Sequence, residues 1–169
     1  GDFVLKLNCA KLARKLSFIA RRKFSSALIL EPEILAIEKV RKYFASLGAP
    51  ERVVEFEELT ATSEQAAHAL NCEVGRIAKT ISVFVDKKPV LILLGGDMNL
   101  DNKKFKARFG TRPKMLAFEQ VEELIGHAVG GTCPFAVNDG VTIYLDDSLK
   151  RFDAVYPAAG NDRSCARLA

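Results

Sequence analysis

Lys79 stands in the run Arg76-Ile77-Ala78-Lys79-Thr80-Ile81, at the junction where a turn after Cys72-Glu73-Val74-Gly75 enters a strand predicted over Thr80 to Val85. An ammonium at such a place can hold an anion or oppose negative charge developing on a reacting carbonyl. Spacing alone equally permits a lysine whose charge simply snorkels to the surface. Cys133 with His127 makes a thiol-dependent hydrolase conceivable, one that Cys133→Ser would inactivate; the commoner state of such a cysteine is buried and inert. Both lie in Gly126-His127-Ala128-Val129-Gly130-Gly131-Thr132-Cys133-Pro134-Phe135, whose glycines and proline fix the backbone direction. There is no Gly-x-Ser-x-Gly elbow and no phosphate loop ending in Gly-Lys-Ser/Thr. Neither Gly95-Gly96 nor Gly130-Gly131 has the glycine spacing of a dinucleotide fingerprint, so nucleotide-dependent chemistry is not expected. The 4 cysteines, Cys9, Cys72, Cys133 and Cys165, form no Cys-x-x-Cys pair, and the 2 histidines, His68 and His127, lack metal-ligand spacing. Reduced thiols in a cytoplasmic-type compartment are expected, with neither a metal site nor a disulfide framework.

The elements that must position these residues can be read from periodicity and punctuation. A helix is predicted over Pro32 to Ser46, with Ile34, Ile37, Val40, Arg41 and Phe44 on one face and Gly48 as its stop. A short strand at Arg52 to Phe56 precedes Thr62-Ser63-Glu64-Gln65, a capping box that opens a helix through Leu70, on which His68 faces solvent. The β-prone runs Thr80 to Val85 and Val90 to Leu94 flank the turn Asp86-Lys87-Lys88-Pro89 and read as a hairpin with a core second strand. Asp101 caps a basic helix, Asn102 to Phe109, whose Lys103, Lys104, Lys106 and Arg108 form either a phosphate-facing surface or an ordinary solvated face. A helix from Phe118 to Ile125, a strand from Val141 to Leu145 and a last extended segment complete the pattern. Strands with interspersed helices and at least one hairpin indicate a mixed α+β sheet, without the regular alternation of a doubly wound fold.

With 169 residues, 49% of them apolar, the chain can bury one core and is too short for two ordinary domains. The expected division is an extension over residues 1–30 and a single domain over residues 31–169. No apolar run approaches the roughly 20 residues of a membrane-spanning helix, so a soluble protein with no membrane partner is expected. The net charge is +4, but Lys6, Lys11, Arg14, Lys15, Arg21, Arg22 and Lys23 against Asp2 account for more than all of it. Leu5, Leu12, Leu16 and Ile19 recur near helical spacing, predicting a basic amphipathic helix from Val4 to Phe24. It reads as an organellar presequence, as an added helix touching RNA, or as upstream or expression-derived sequence. The location is cytoplasmic, or organellar if the first of these holds.

Arg76-Ile77-Ala78-Lys79-Thr80-Ile81 with its hairpin, then Gly126-x-x-x-Gly130-Gly131-x-x-Pro134-Phe135, then Ala159-Gly160-Asn161, resembles the YbaK/EbsC/ProX family in order and spacing, over roughly residues 34–168. These proteins are the trans-editing relatives of the insertion domain of bacterial prolyl-tRNA synthetase. The resemblance implies a compact α+β fold, a mixed and partly barrel-like sheet flanked by helices, whose cleft receives the aminoacylated 3′ end of tRNA. It implies an aminoacyl-tRNA deacylase that splits the ester between amino acid and terminal ribose, acting on mischarged tRNA, tRNA for proline carrying a small wrong amino acid first among the candidates. No metal or organic cofactor is implied, and an aminoacyl-tRNA synthetase is an implied partner. By position, Lys79 matches the family's essential lysine and Thr80 its usual neighbour. Gly130 and Gly131 match the backbone wall of the pocket, with Pro134 in the same motif, and Gly160 and Asn161 match the close-approach turn opposite. Ala136 stands where many of those proteins have glycine. The alternative from another class is a catalytically silent tRNA-binding or synthetase-associated module.

Overall fold

The computed structural model describes residues 5–7 and 32–169. Strand β1 is Leu5–Leu7, and helix α1 runs Pro32–Ser46. Strand β2 (Val53–Glu55) and helix α2 (Ser63–Ala69) precede the hairpin β3 (Ile77–Val85) and β4 (Lys88–Gly95). Helix α3 (Asn102–Phe109), strand β5 (Lys114–Met115), helix α4 (Phe118–Ile125) and strand β6 (Thr142–Leu145) follow. Strands β7 (Tyr156–Pro157) and β8 (Ser164–Ala166) end the order.

The main sheet runs β1-β6-β4-β3-β5, with β7 also on β3; β2 and β8 form a second, two-stranded sheet. Pairing is mixed: β3 is antiparallel to β4 and β5 but parallel to β7, and β4 is parallel to β6. This is the expected α+β architecture, with helices flanking a sheet that is open at its edges. Strand β4 is buried on both faces, as its unbroken apolar run requires. One face packs Leu91 and Leu93 against Val121 and Ile125 of α4; the other packs Val90, Ile92 and Leu94 against Phe105 of α3. Helix α1 covers the small sheet, burying Ile37, Val40 and Phe44 against Val53 and Ala166, with Phe135 edge-to-face with Phe44 at a ring separation of 4.7 Å. Full burial of each such side chain contributes roughly 1.5–3 kcal/mol.

Punctuation behaves as its chemistry dictates. Gly48 sits at φ 72° and ends α1 with its N–H on Ala45 O while Ala49 N–H reaches Phe44 O, a Schellman closure. Thr62 and Gln65 exchange reciprocal capping bonds, and Asp101 accepts from the N–H groups of Lys103 and Lys104. His68 is exposed on α2 near Glu58.

Three sequence expectations need correction. The hairpin turn is only Asp86-Lys87, both at positive φ, so β4 begins at Lys88 rather than Val90. Strand β3 begins at Ile77, because Ile77 and Ala78 pair with β7, nearly 80 positions along the chain, and Lys79 therefore lies inside the strand rather than at its entry. Leu5–Leu7 form a strand on β6 rather than the start of a basic helix; the rest of that expected helix and of the 1–30 extension, with Cys9, lies outside the described residues. Among the described residues no helix is long and apolar enough to cross a membrane.

Candidate active site

Strand β3 is partnered along its whole length by β4 on one side, from Ala78↔Gly95 to Val85↔Lys88. Its other edge is partnered only at its ends, by β7 at Ile77 and Ala78 and by β5 at Val83 and Phe84. Residues 79–82 are left without a strand neighbour there. Ser82 O accepts the N–H of Leu116 at 3.1 Å on this edge. A strand residue aims its N–H and C=O to the same side, and the side alternates, so the main-chain groups of Thr80 face the same gap. They are the kind of unpaired edge groups that take a ligand's hydrogen bonds.

A cavity of about 440 Å³ opens at this gap. Lys79, Thr80 and Ser82 line it from β3; Thr60 and Thr62 line it from the loop entering α2, and Ser63 from the first turn of that helix. Met115, Phe118, Val129 and Gly130 line it from the other side. Lys79 is half-buried and makes no ion pair among the described residues, so its charge is available to a ligand. The carboxyl of Asp97, the acid whose titration Lys79 influences, is already committed. Two hydrogen bonds from Arg151, at 2.9 and 2.6 Å, are the main reason it is held below the ordinary carboxylate range, and Lys79 adds only a small pull. The Thr80 hydroxyl oxygen is buried and lacks a hydrogen-bond partner, an unsatisfied polar group whose desolvation a bound molecule would relieve.

Of the residues that the motifs single out, Lys79, Thr80 and Gly130 line the cavity. Gly131, Pro134, Gly160 and Asn161 lie outside its lining, in the layer behind. A Cβ on Gly131 would stand 2.5 Å from the carbonyl carbon of Gly160, and one on Gly160 would stand 2.8 Å from the carbonyl carbon of Ala36 in α1. The two glycines thus stack the Gly130-Gly131 loop, the Gly160 turn and α1 at backbone contact. Asn161 Oδ1 holds that turn by accepting from Arg163 N–H and the Ser164 hydroxyl, and Pro134 is buried between Cys133 and Phe135. Thr60, Ser63, Ser82, Met115 and Phe118 are cavity residues that carry no local sequence signal; long-range pairing alone brings them there. Ala136 occupies a left-handed conformation at φ 49°. Ala136→Gly is expected to stabilise the fold by about 1 kcal/mol, raising Tm by roughly 3 °C in calorimetry; an unchanged or lower Tm would contradict strain at this position.

Cys133 and His127 do meet, with Sγ 3.6 Å from Nε2. The contact is not catalytic. Nε2 lies 2.6 Å from Phe135 O, which requires that nitrogen to carry a proton and donate it, so it cannot take one from the thiol. Complete burial pushes the Cys133 thiol up to about 12, and neither side chain lines the cavity. His127 is itself buried, and loss of hydration, with a smaller push from Lys39, holds its pKa below the ordinary 6.5 in spite of the bond to Phe135. The unfolded chain therefore binds this proton more readily. The stability concerned is complete above about pH 6.5 and is lost as pH falls toward the folded-state value, by at most about 1.4 kcal/mol per pH unit. His127→Gln, which keeps a donor for Phe135, is expected to show a smaller drop in Tm between pH 7 and pH 5 than the parent; equal drops would contradict this account.

The sequence pattern of the aminoacyl-tRNA editing domain matches residues 57–169. YwhH of Bacillus subtilis (strain 168), itself uncharacterized, is 39% identical over 135 residues, covering 79% of this chain and 86% of that protein. Proline--tRNA ligase of Coprothermobacter proteolyticus is 33% identical over 94 residues, covering 56% of this chain but only 16% of the ligase. A crystal structure described as that of a proposed trans-editing enzyme for prolyl tRNA synthetase superposes with a TM-score of 0.73 at 31% identity, covering 83% of this chain and 88% of that one.

Proposed function

Because the chain belongs to the aminoacyl-tRNA editing domain family, we propose that it acts in trans as a deacylase that hydrolyses the ester of mischarged aminoacyl-tRNA at the β3 gap. The observation that carries this reading is the coincidence in one cavity of an uncommitted ammonium and an interrupted strand edge. Lys79 holds the terminal phosphate or ribose and opposes charge on the ester carbonyl, while the Thr80 main-chain N–H donates to the carbonyl oxygen as it becomes anionic. Gly130, without a side chain, lets the backbone approach the ester. A water positioned by main-chain carbonyls adds its oxygen to the carbonyl carbon. The ester C–O bond breaks, the ribose oxygen takes the proton, and free amino acid and tRNA leave. An aminoacyl ester is already activated, so positioning supplies much of what a nucleophile would otherwise provide. This accounts for the inert state of Cys133.

A cavity of about 440 Å³ suits a small amino acid together with part of the terminal ribose. Alanyl-, cysteinyl-, seryl- and threonyl-tRNA are the candidate substrates, mischarged tRNA for proline foremost, because one methylene in such a pocket discriminates by only about 1–3 kcal/mol. The test is hydrolysis of a panel of radiolabelled aminoacyl-tRNAs at fixed salt. Selective release of one amino acid supports the reading. No turnover on any member, with tRNA binding retained, would replace it with a silent binding module.

A further inference from the structure

Helix α4 carries Phe118, Val121 and Ile125 at helical spacing, one apolar stripe. Val121 and Ile125 are buried, yet Phe118 is 70% exposed at the cavity mouth, and Met115 beside it on β5 is 58% exposed. Such exposure contributes nothing to folding. Both positions are nevertheless fixed. Val121 and Ile125 anchor α4 against the sheet, Gln120 Oε1 accepts the Ala117 N–H at 3.0 Å to close the first turn, and Met115 is pinned to Val83 by strand pairing.

The chain that leads to this platform is Lys103, Lys104, Lys106, Arg108, Arg112 and Lys114, with no acid between Asp101 and Glu119. All six side chains are exposed. Lys103, Lys106, Arg108, Arg112 and Lys114 form no ion pair among the described residues, and Asp101 is occupied in capping α3. Arg112 and Lys114, exposed in the segment that leads directly into Met115 and Phe118, together with an exposed aromatic ring at the mouth of a cavity, match a single nucleic-acid strand: phosphates on the cations, a base on the ring.

We propose that Phe118, with Met115, is the stacking platform for the terminal base of an RNA 3′ end, and that Arg112 and Lys114 take the phosphates immediately before it. This deepens the deacylase reading and rests on it. The platform orients the terminal nucleotide so that its ribose ester enters the cavity beside Lys79. Phe118 is thereby a positioning residue, acting on how the strand is held.

The test is titration of an uncharged RNA minihelix ending in single-stranded CCA, with 2-aminopurine in place of the terminal adenine. Wild type is expected to alter the terminal fluorescence on binding. Phe118→Ala is expected to weaken binding on the order of 10-fold and abolish that change, while Phe118→Tyr retains both. The double variant Arg112→Gln, Lys114→Gln is expected to flatten the dependence of log K on log salt by roughly 0.7 per lost phosphate contact, leaving the fluorescence end point as it was. Phe118→Ala within about twofold of wild type, or an unaltered fluorescence change, overturns the proposal. So does self-association of wild type that Phe118→Ala abolishes without affecting RNA binding, since the ring would then serve a contact between copies. The assay needs no hydrolysis: failure of the deacylase reading shows as absent turnover, and failure of the platform as unmoved binding.

Discussion

Lys79→Ala is expected to lower kcat/KM for deacylation by about 10²–10³-fold while leaving the fold intact, the range found when one group that stabilises developing charge is removed. The size follows from its surroundings. The ammonium lies in a partly enclosed cavity, where a charge acts through a lower dielectric than in water, and no carboxylate among the described residues forms an ion pair with it. Removing it strands no partner, because Asp97 keeps its two bonds from Arg151. The strand loses only the modest propensity difference between lysine and alanine, under about 1 kcal/mol. Lys79→Arg keeps the charge but replaces a compact ammonium with a planar fork, and intermediate activity is expected. Circular dichroism and Tm accompany the assay. A folded Lys79→Ala protein within threefold of wild-type activity would remove Lys79 from the mechanism.

Gly160→Ala is expected to cost the fold about 3 kcal/mol or more and to lower Tm by roughly 10 °C. Two penalties coincide there. At φ 103° the backbone is in a region that side chains rarely adopt, and a Cβ would stand 2.8 Å from the backbone of Ala36, which cannot move without displacing α1. Gly130 supplies the contrast within the same stack. Its φ is 97°, but the nearest atom to an added Cβ is the Asp162 Cβ at 3.6 Å, so Gly130→Ala meets the conformational cost without the collision. Its expected loss is about 1 kcal/mol, with activity reduced because it lines the cavity. Equal Tm losses in the two variants would mean that the contact with α1 is not what fixes Gly160.

Much of the local structure was legible from residue chemistry. The Asp101 cap bounds α3 at Asn102–Phe109, the Thr62-Gln65 box opens α2, and Gly48 closes α1, because each depends on bonds within a few residues of the chain. Helix α4 is likewise legible as Phe118–Ile125 from its apolar stripe. The motifs around Lys79, Gly130 and Gly160 carried the family resemblance, and the editing-domain match agrees with it.

What the sequence by itself determined is the inventory: an α+β set of elements with their caps and turns, a lysine without a triad, and the glycines of the motifs. Tertiary structure decided where those parts act. The gap on β3 exists only because β7 pairs with its first residues and β5 with its last, partners brought together across long stretches of chain that no local pattern encodes. Cys133 and His127 show the same division from the other side. Their residue types suggested chemistry, and only packing put them in contact, buried, with the imidazole proton committed to Phe135. Residue type sets what a group can do; burial and neighbours, which depend on every element packed around it, set whether it does so.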